Sequence, residues 1–183
     1  MGLIDNAIYL LIWMFITVVT VVFSGNGNPN TLYSEDSEFY YIGADGEPIE
    51  LVNNPNSTDP TYQEMITFLK SDKTDEIEYD PDNFMCGDFA QTVHNKAEAA
   101  GIRAAWVSID FTGFTVGHAC NAFNTTDRGL IFVDCTGVYP YEPGNRDCTV
   151  EIDIGEIYQP KGLFTTGEIY EDMGVVRNFK IYW

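Results

Sequence analysis

The chain of 183 residues contains four cysteines and only two histidines, so few combinations of its side chains can support nucleophilic chemistry. The first candidate is Cys86. It opens the run Cys86-Gly87-Asp88-Phe89-Ala90, after which Phe89, Val93, Ala97 and Ala100 recur on one helical face and Gly101 provides a stop. This pattern puts Cys86 at, or one turn inside, the N-terminus of a helix of about four turns. A free thiol titrates near 8.5 and only the thiolate is a good nucleophile; a helix N-terminus favours the anion through its dipole and its free N–H groups. A base is still required, to take up a proton and return it to a leaving group. His94 lies eight residues along the same helix, about 12 Å along its axis and out of reach. That leaves His118. The competing reading of Cys86 is a small buried thiol, since cysteine is among the most buried residue types.

His118 falls in a strand pattern at 116–123, and a second strand pattern follows at 130–133. Between them runs Asn124-Thr125-Thr126-Asp127-Arg128-Gly129, which is hairpin chemistry. A hairpin centred on Thr126 sets Asp134 directly opposite His118, with Cβ atoms about 5 Å apart. A carboxylate there accepts from the imidazole, fixes its tautomer and stabilises its cation. The placement depends on register. A shift of one residue turns Asp134 to the other face, and Gly129 as a bulge could absorb such a shift. Asp88, in the same helical turn as Cys86, is read as serving that turn rather than the chemistry.

The elements that must position these residues follow from the flanking patterns. Asp59-Pro60 looks like a helix start, with Asp59 as N-cap, and Tyr62, Met65, Ile66 and Leu69 recur at helical spacing up to about Lys70. Residues 71–82 read as a solvated acidic connection without a calcium-loop pattern. Further strands are expected at 104–109, 150–157 and 175–182, with short ones at 38–42 and 48–52. The aromatic residues of the tail, among them Phe179, Tyr182 and Trp183, read as packing. One helical block followed by several strands gives an α+β fold, with an antiparallel sheet packed on the Cys86 helix.

Four phrases occur in order: Cys86-Gly87-Asp88-Phe89-Ala90, Gly101-Ile102-Arg103-Ala104, His118-Ala119 and Val133-Asp134-Cys135-Thr136. Together they resemble the transglutaminase-like superfamily, relatives of papain-type cysteine proteases, over about residues 62–137. The resemblance implies a papain/transglutaminase-like core, with Cys86 as nucleophile, His118 as general base and Asp134 as orienting acid. It also implies amide hydrolysis before transglutamination. Many members carry Trp after His-Ala, where this chain has Cys120. A second oxyanion donor is not assigned by any phrase; Gln63 and Tyr62 on the preceding helix are the candidates, beside the Cys86 backbone N–H.

Three cysteines remain. Cys135 to Cys148 is the expected bridge if the domain faces an oxidising compartment. A zinc site from Cys86, His118 and Cys120 is the alternative use, but it lacks the paired spacing of structural zinc sites. No metal and no cofactor is expected.

Residues 7–23 are almost wholly apolar and would span about 26 Å as a helix, close to a hydrocarbon core of about 30 Å. They read as a membrane helix, or alternatively as a signal peptide cleaved before Gly25. Residues 25–58 then form a linker and N-terminal extension, and residues 59–183 the transglutaminase-like domain. Nine Lys and Arg against 28 Asp and Glu give a net charge of −19, which argues against nucleic acid and favours neutral or basic substrates. Two sequons, at Asn56 and Asn124, are compatible with an extracytoplasmic domain. The expected function is a membrane-tethered cysteine acyl-transfer enzyme acting on peptide or protein amides. The alternative is a non-catalytic binding or assembly module on the same fold.

Overall fold

The computed structural model describes residues 41–137, 145–165 and 172–183. The apolar segment 7–23 and the first residues of the 38–42 strand pattern lie outside the described residues. Among the described residues, no helix is long and apolar enough to cross a membrane.

The described fold is mixed, with two helices and a six-stranded antiparallel sheet. Helix α1 is Tyr62–Ser71 and α2 is Cys86–Ala99. The strands are β1 Ala105–Phe111, β2 His118–Thr125, β3 Gly129–Asp134, β4 Cys148–Val150, β5 Lys161–Gly162 and β6 Val176–Tyr182, in the order β5-β4-β3-β2-β1-β6. The two-residue periodicity of the strands splits their side chains into two apolar layers. On one face Phe123, Val133 and Cys135 pack with Met65 and Leu69 of α1 and Val93 and Ala97 of α2. On the other face Val107, Ile109, Cys120 and Ala122 pack with Val150, Ile152 and Tyr158. Buried Asn121 fastens the helix layer to the sheet, its amide donating to the carbonyls of Ala90 at 2.8 Å and Ala105 at 3.1 Å.

Several expectations need correction. The cap of α1 is Thr61, not Asp59: Thr61 and Glu64 form a reciprocal capping box, which satisfies two first-turn N–H groups at once. Asp59 instead accepts from the Asn124 amide at 2.8 Å. The acidic connection is not all solvated. Thr74–Glu76 form a 3₁₀ turn, and Asp72, Thr74 and Asp75 are buried, with the Lys96 ammonium reaching both Asp72 and Thr74. Of the pattern at 150–157 only Val150 belongs to a strand, and the pattern at 48–52 yields isolated bridge residues rather than a strand, Pro48 pairing with Ile42.

All four cysteines are free. The expected Cys135–Cys148 bridge fails because of sheet parity: Cys148 pairs with Asp134 and shares its face, while Cys135 points the other way.

Residues 41–58 pack closely on α2. Ile49 and Leu51 are buried with Ala90, Trp106 and Ala119, and the backbone N–H groups of Glu50 and Val52 donate to Gln91 and Asn95. At the exit of β3, a Cβ on Gly137 would collide with the Ile77 carbonyl and press on the Phe89 ring of α2. Gly137→Ala should therefore lower unfolding stability by about 2 kcal/mol. Urea titration followed by tryptophan fluorescence measures this, and an unchanged midpoint would contradict the packing described.

Candidate active site

Cys86 is the first residue of α2, preceded by Met85 in extended conformation. Three contacts hold this end of the helix. The Asp88 carboxylate accepts from the backbone N–H groups of Met85 and Ala44, each at 2.9 Å, so it caps its own helix and ties the 41–49 segment to it. The Trp106 indole N–H, from β1, donates to the Gly87 carbonyl at 3.2 Å. Cys86 itself packs against the cluster of Ile49, Leu51, Ala90, Trp106 and Ala119, and is half-buried.

His118 is the first residue of β2 and pairs with Ile109 of β1. The residue before it must be glycine for the chain to enter here, because a Cβ on Gly117 would lie 2.6 Å from the Ile109 carbonyl oxygen. The β2–β3 hairpin is centred on Asp127, with Thr125 paired to Gly129 and Asn121 to Val133. The expected centre was Thr126. Moving the centre by one residue moves every partner by two, so Asp134 is displaced from the position opposite His118 yet stays on its face. The two side chains meet diagonally. His118 Nε2 and Asp134 Oδ2 are 2.8 Å apart, with both residues buried.

Nε2 of the imidazole is taken by Asp134, and the Cys86 side chain lies close enough to the ring to help raise its pKa. The three residues singled out by sequence are thus gathered in one place. His94 is not among them; it is buried in α2 with Nε2 2.9 Å from the Asn53 side-chain oxygen.

The protonation states follow from the contacts. Burial favours neutral His118, but the charge and hydrogen bond of Asp134, with a further hydrogen bond and charge from Cys86, outweigh it and bring the imidazole to about 10. Burial pushes the Asp134 carboxyl up. The His118 charge and hydrogen bonds from His118, Thr136 and Tyr158 reverse this and bring it down to about 2. The pair is therefore an imidazolium and a carboxylate at neutral pH. Burial, reinforced by the Asp134 charge, raises the Cys120 thiol well above its ordinary value, and burial with the Asp147 charge does the same for Cys135. Those two thiols are neutral and suited to packing. Among the described residues, no group of three or more His, Cys, Asp or Glu could hold a metal ion, so the zinc alternative at Cys86, His118 and Cys120 finds no support.

Two residues near the site were not anticipated. Tyr158 donates its hydroxyl to Asp134 Oδ2 at 2.7 Å, and its ring stands edge-on to His118 with centroids 5.4 Å apart. No periodicity connects position 158 to 134, so no sequence signal pointed to it. The Tyr79 ring stacks at 6.3 Å on Phe89, one turn after Cys86; burial raises its hydroxyl pKa, with smaller contributions from the Cys86 and Asp88 charges. The oxyanion candidates Tyr62 and Gln63 are displaced. Tyr62 lies under Arg128, and Gln63 lines an open groove of about 500 Å³ together with Ala100, Gly101 and Ile102, at the far end of α2 from Cys86. A helix of 14 residues separates the two ends by about 20 Å.

Comparisons with protein-family models, with curated proteins and with solved structures find no match to this chain.

The charge pair has a signature in stability. His118 titrates above its ordinary 6.5 when folded, so its contribution is complete below about pH 6.5 and is lost as pH rises through about 10. Asp134 titrates below its ordinary 3.8, so its contribution is complete above that pH and is lost as pH falls through about 2. Comparing denaturant midpoints of wild type and Asp134→Asn between pH 5 and 10 should give the largest difference at pH 5–6.5 and a narrowing one above it. A difference independent of pH would contradict the pairing.

Proposed function

We propose that this chain is a cysteine acyl-transfer enzyme on a papain/transglutaminase-like core, hydrolysing amide bonds of peptides or proteins. The observation that carries the proposal is the gathering of three side chains: Asp134 2.8 Å from His118, and Cys86, the first residue of α2, near enough to the same ring to help raise its pKa. A nucleophile, a proton carrier and an orienting carboxylate in that sequence of contacts form a general device for acyl transfer.

In the proposed cycle the Cys86 sulfur attacks the amide carbonyl carbon as a thiolate, with the His118 imidazolium as counter-charge. The Cys86 backbone N–H at the helix start is one donor to the oxyanion. His118 gives its proton to the leaving amine as the C–N bond breaks, leaving an acyl-thioester. Water then loses a proton to His118 and attacks the thioester, and the carboxylic acid and the free thiol are released. An amine in place of water gives transglutamination by the same steps. The membrane tether belongs to this proposal through residues 7–23, with the acidic domain facing outward.

One observation favours a second reading, a non-catalytic module on the same fold: Tyr62 and Gln63 lie at the wrong end of α2 to serve the oxyanion. Two measurements on the full chain separate the readings. In hydrolysis of an unstructured protein and a set of peptide amides, Cys86→Ala should abolish turnover and His118→Ala should reduce it by about 10²–10⁴-fold. In carbamidomethylation by iodoacetamide at pH 6.5, Cys86 of the wild type should react faster than Cys86 of His118→Ala. Equal turnover in wild type and Cys86→Ala, together with equal alkylation rates, would sink the enzyme reading and leave the module.

A further inference from the structure

The acyl-transfer reading uses the Cys86, His118 and Asp134 side chains and leaves one fully buried polar group beside them unassigned. That group is Tyr158, whose residue exposure is 0%. Its place is fixed by the backbone. The Tyr158 N–H donates to the Gly174 carbonyl at 2.9 Å, and its carbonyl accepts from Met173 N–H at 3.0 Å. Its ring packs edge-on against Phe111, centroids 5.7 Å apart, and against His118, centroids 5.4 Å apart. Its hydroxyl donates to Asp134 at 2.7 Å, with the Cys120 thiol among the groups that raise its pKa. The ionisable groups around it are therefore Asp134, His118 and Cys120.

The decisive detail is which carboxylate oxygen Tyr158 uses. Asp134 Oδ1 accepts from Thr136 N–H at 3.0 Å, whereas Oδ2 is shared by His118 Nε2 and the Tyr158 hydroxyl. Two donors on one oxygen compete for the same charge, so a hydroxyl there weakens the pull of the carboxylate on the imidazole proton. A charged acceptor makes this a strong hydrogen bond. Filling the space with phenylalanine would keep the packing and remove only the competition.

We infer that Tyr158 is a positioning residue of the site: its hydroxyl holds Asp134 in place and moderates the grip of that carboxylate on His118, while its ring closes the pair off from water. It touches no reacting atom and acts through Asp134. The moderation matters to the proposed cycle because His118 must release a proton to the leaving group as well as hold one, and an ungoverned carboxylate would favour holding.

The inference rests on the acyl-transfer reading for its meaning in catalysis, but its test does not. Full-length wild type and Tyr158→Phe are compared by nitrogen-15 and proton NMR of the His118 ring. Loss of the hydroxyl should move the Nε2–H proton downfield, as the hydrogen bond to Asp134 strengthens. It should also move the alkaline limb of the Cys86 alkylation profile upward by about half a unit. Replacing Tyr158 by 3-fluorotyrosine keeps the shape and strengthens the donor, so the same proton should move upfield; this arm decides the matter if Tyr158→Phe does not fold. A His118 Nε2–H that stays fixed in every folded variant overturns the inference and reduces Tyr158 to a packing residue, even if stability falls. If Cys86 alkylation proves independent of His118 in wild type, the acyl-transfer reading fails by itself, and the NMR arms still decide what Tyr158 does to the pair.

Discussion

The buried ion pair between His118 and Asp134, 2.8 Å long, sets the conditions that the surrounding structure must meet. Taking two charges out of water costs several kcal/mol per ion, and attraction offsets this only if the remaining lone pairs and protons also find partners. The carboxylate meets that condition through Thr136 on one oxygen and Tyr158 on the other. The imidazole has the Cys86 side chain beside it. Each of these partners comes from a different part of the chain: the end of β3, the segment after β4, and the first turn of α2. The pair thus links the helix layer to the layer on the other side of the sheet.

That linkage explains why the start of α2 is so firmly tied down. Cys86 can face His118 only if the helix begins at a fixed height above the sheet. The Asp88 carboxylate, the Trp106 indole and buried Asn121 each fix one part of that position. The sheet contributes through parity. His118, Cys120 and Ala122 alternate with Ala119, Asn121 and Phe123, so one face of β2 supplies polar chemistry and packing for Tyr158 while the other receives the helix. Because β2 begins at His118, the imidazole lies at the end of the sheet. Gly117 allows the chain to turn in there without striking the Ile109 carbonyl.

How much of this was legible in the sequence depends on the range of the interaction involved. The start of α2 at Cys86 was readable because periodicity and a glycine stop are local signals. The meeting of His118 and Asp134 was readable for a subtler reason: the hairpin centre was misplaced by one residue, but partners then shift by two and the shared face survives. Cap competition was misjudged, since Asp59 and Thr61 both suit an N-cap and only the reciprocal bond from Glu64 separates them. Burial of Asp72, Thr74 and Asp75 was missed because it depends on distant partners: Lys96 reaches back 24 and 22 positions to Asp72 and Thr74, and the Arg146 N–H donates to Asp75 from 71 positions away. Tyr158 was invisible for the same reason. Its partners are 24 and 40 positions away and belong to a sheet whose register has to be known first.

The excess of acids bears on the site in the same terms. Of nine Lys and Arg, Lys96 is engaged by Asp72, Lys73 by Glu76, Arg103 by Asp59 and the Trp183 ring, Arg128 by the Tyr62 ring, and Arg177 by Asp110. These five cations are thus used locally, and the field of a chain with net charge −19 remains negative. The same sign of field that favours an imidazolium at His118 opposes an additional thiolate beside it, so the overall charge cannot by itself activate Cys86. Only local geometry resolves that opposition. The imidazolium lies beside the sulfur, whereas most of the acids among the described residues are outside the core, where salt screens them within about 10 Å. On the proposed function, the long-range field would act on what approaches, repelling anions and admitting neutral or cationic chains. On the same proposal, the short-range pair, its Asp134 oxygen shared with Tyr158, would act on what is bound.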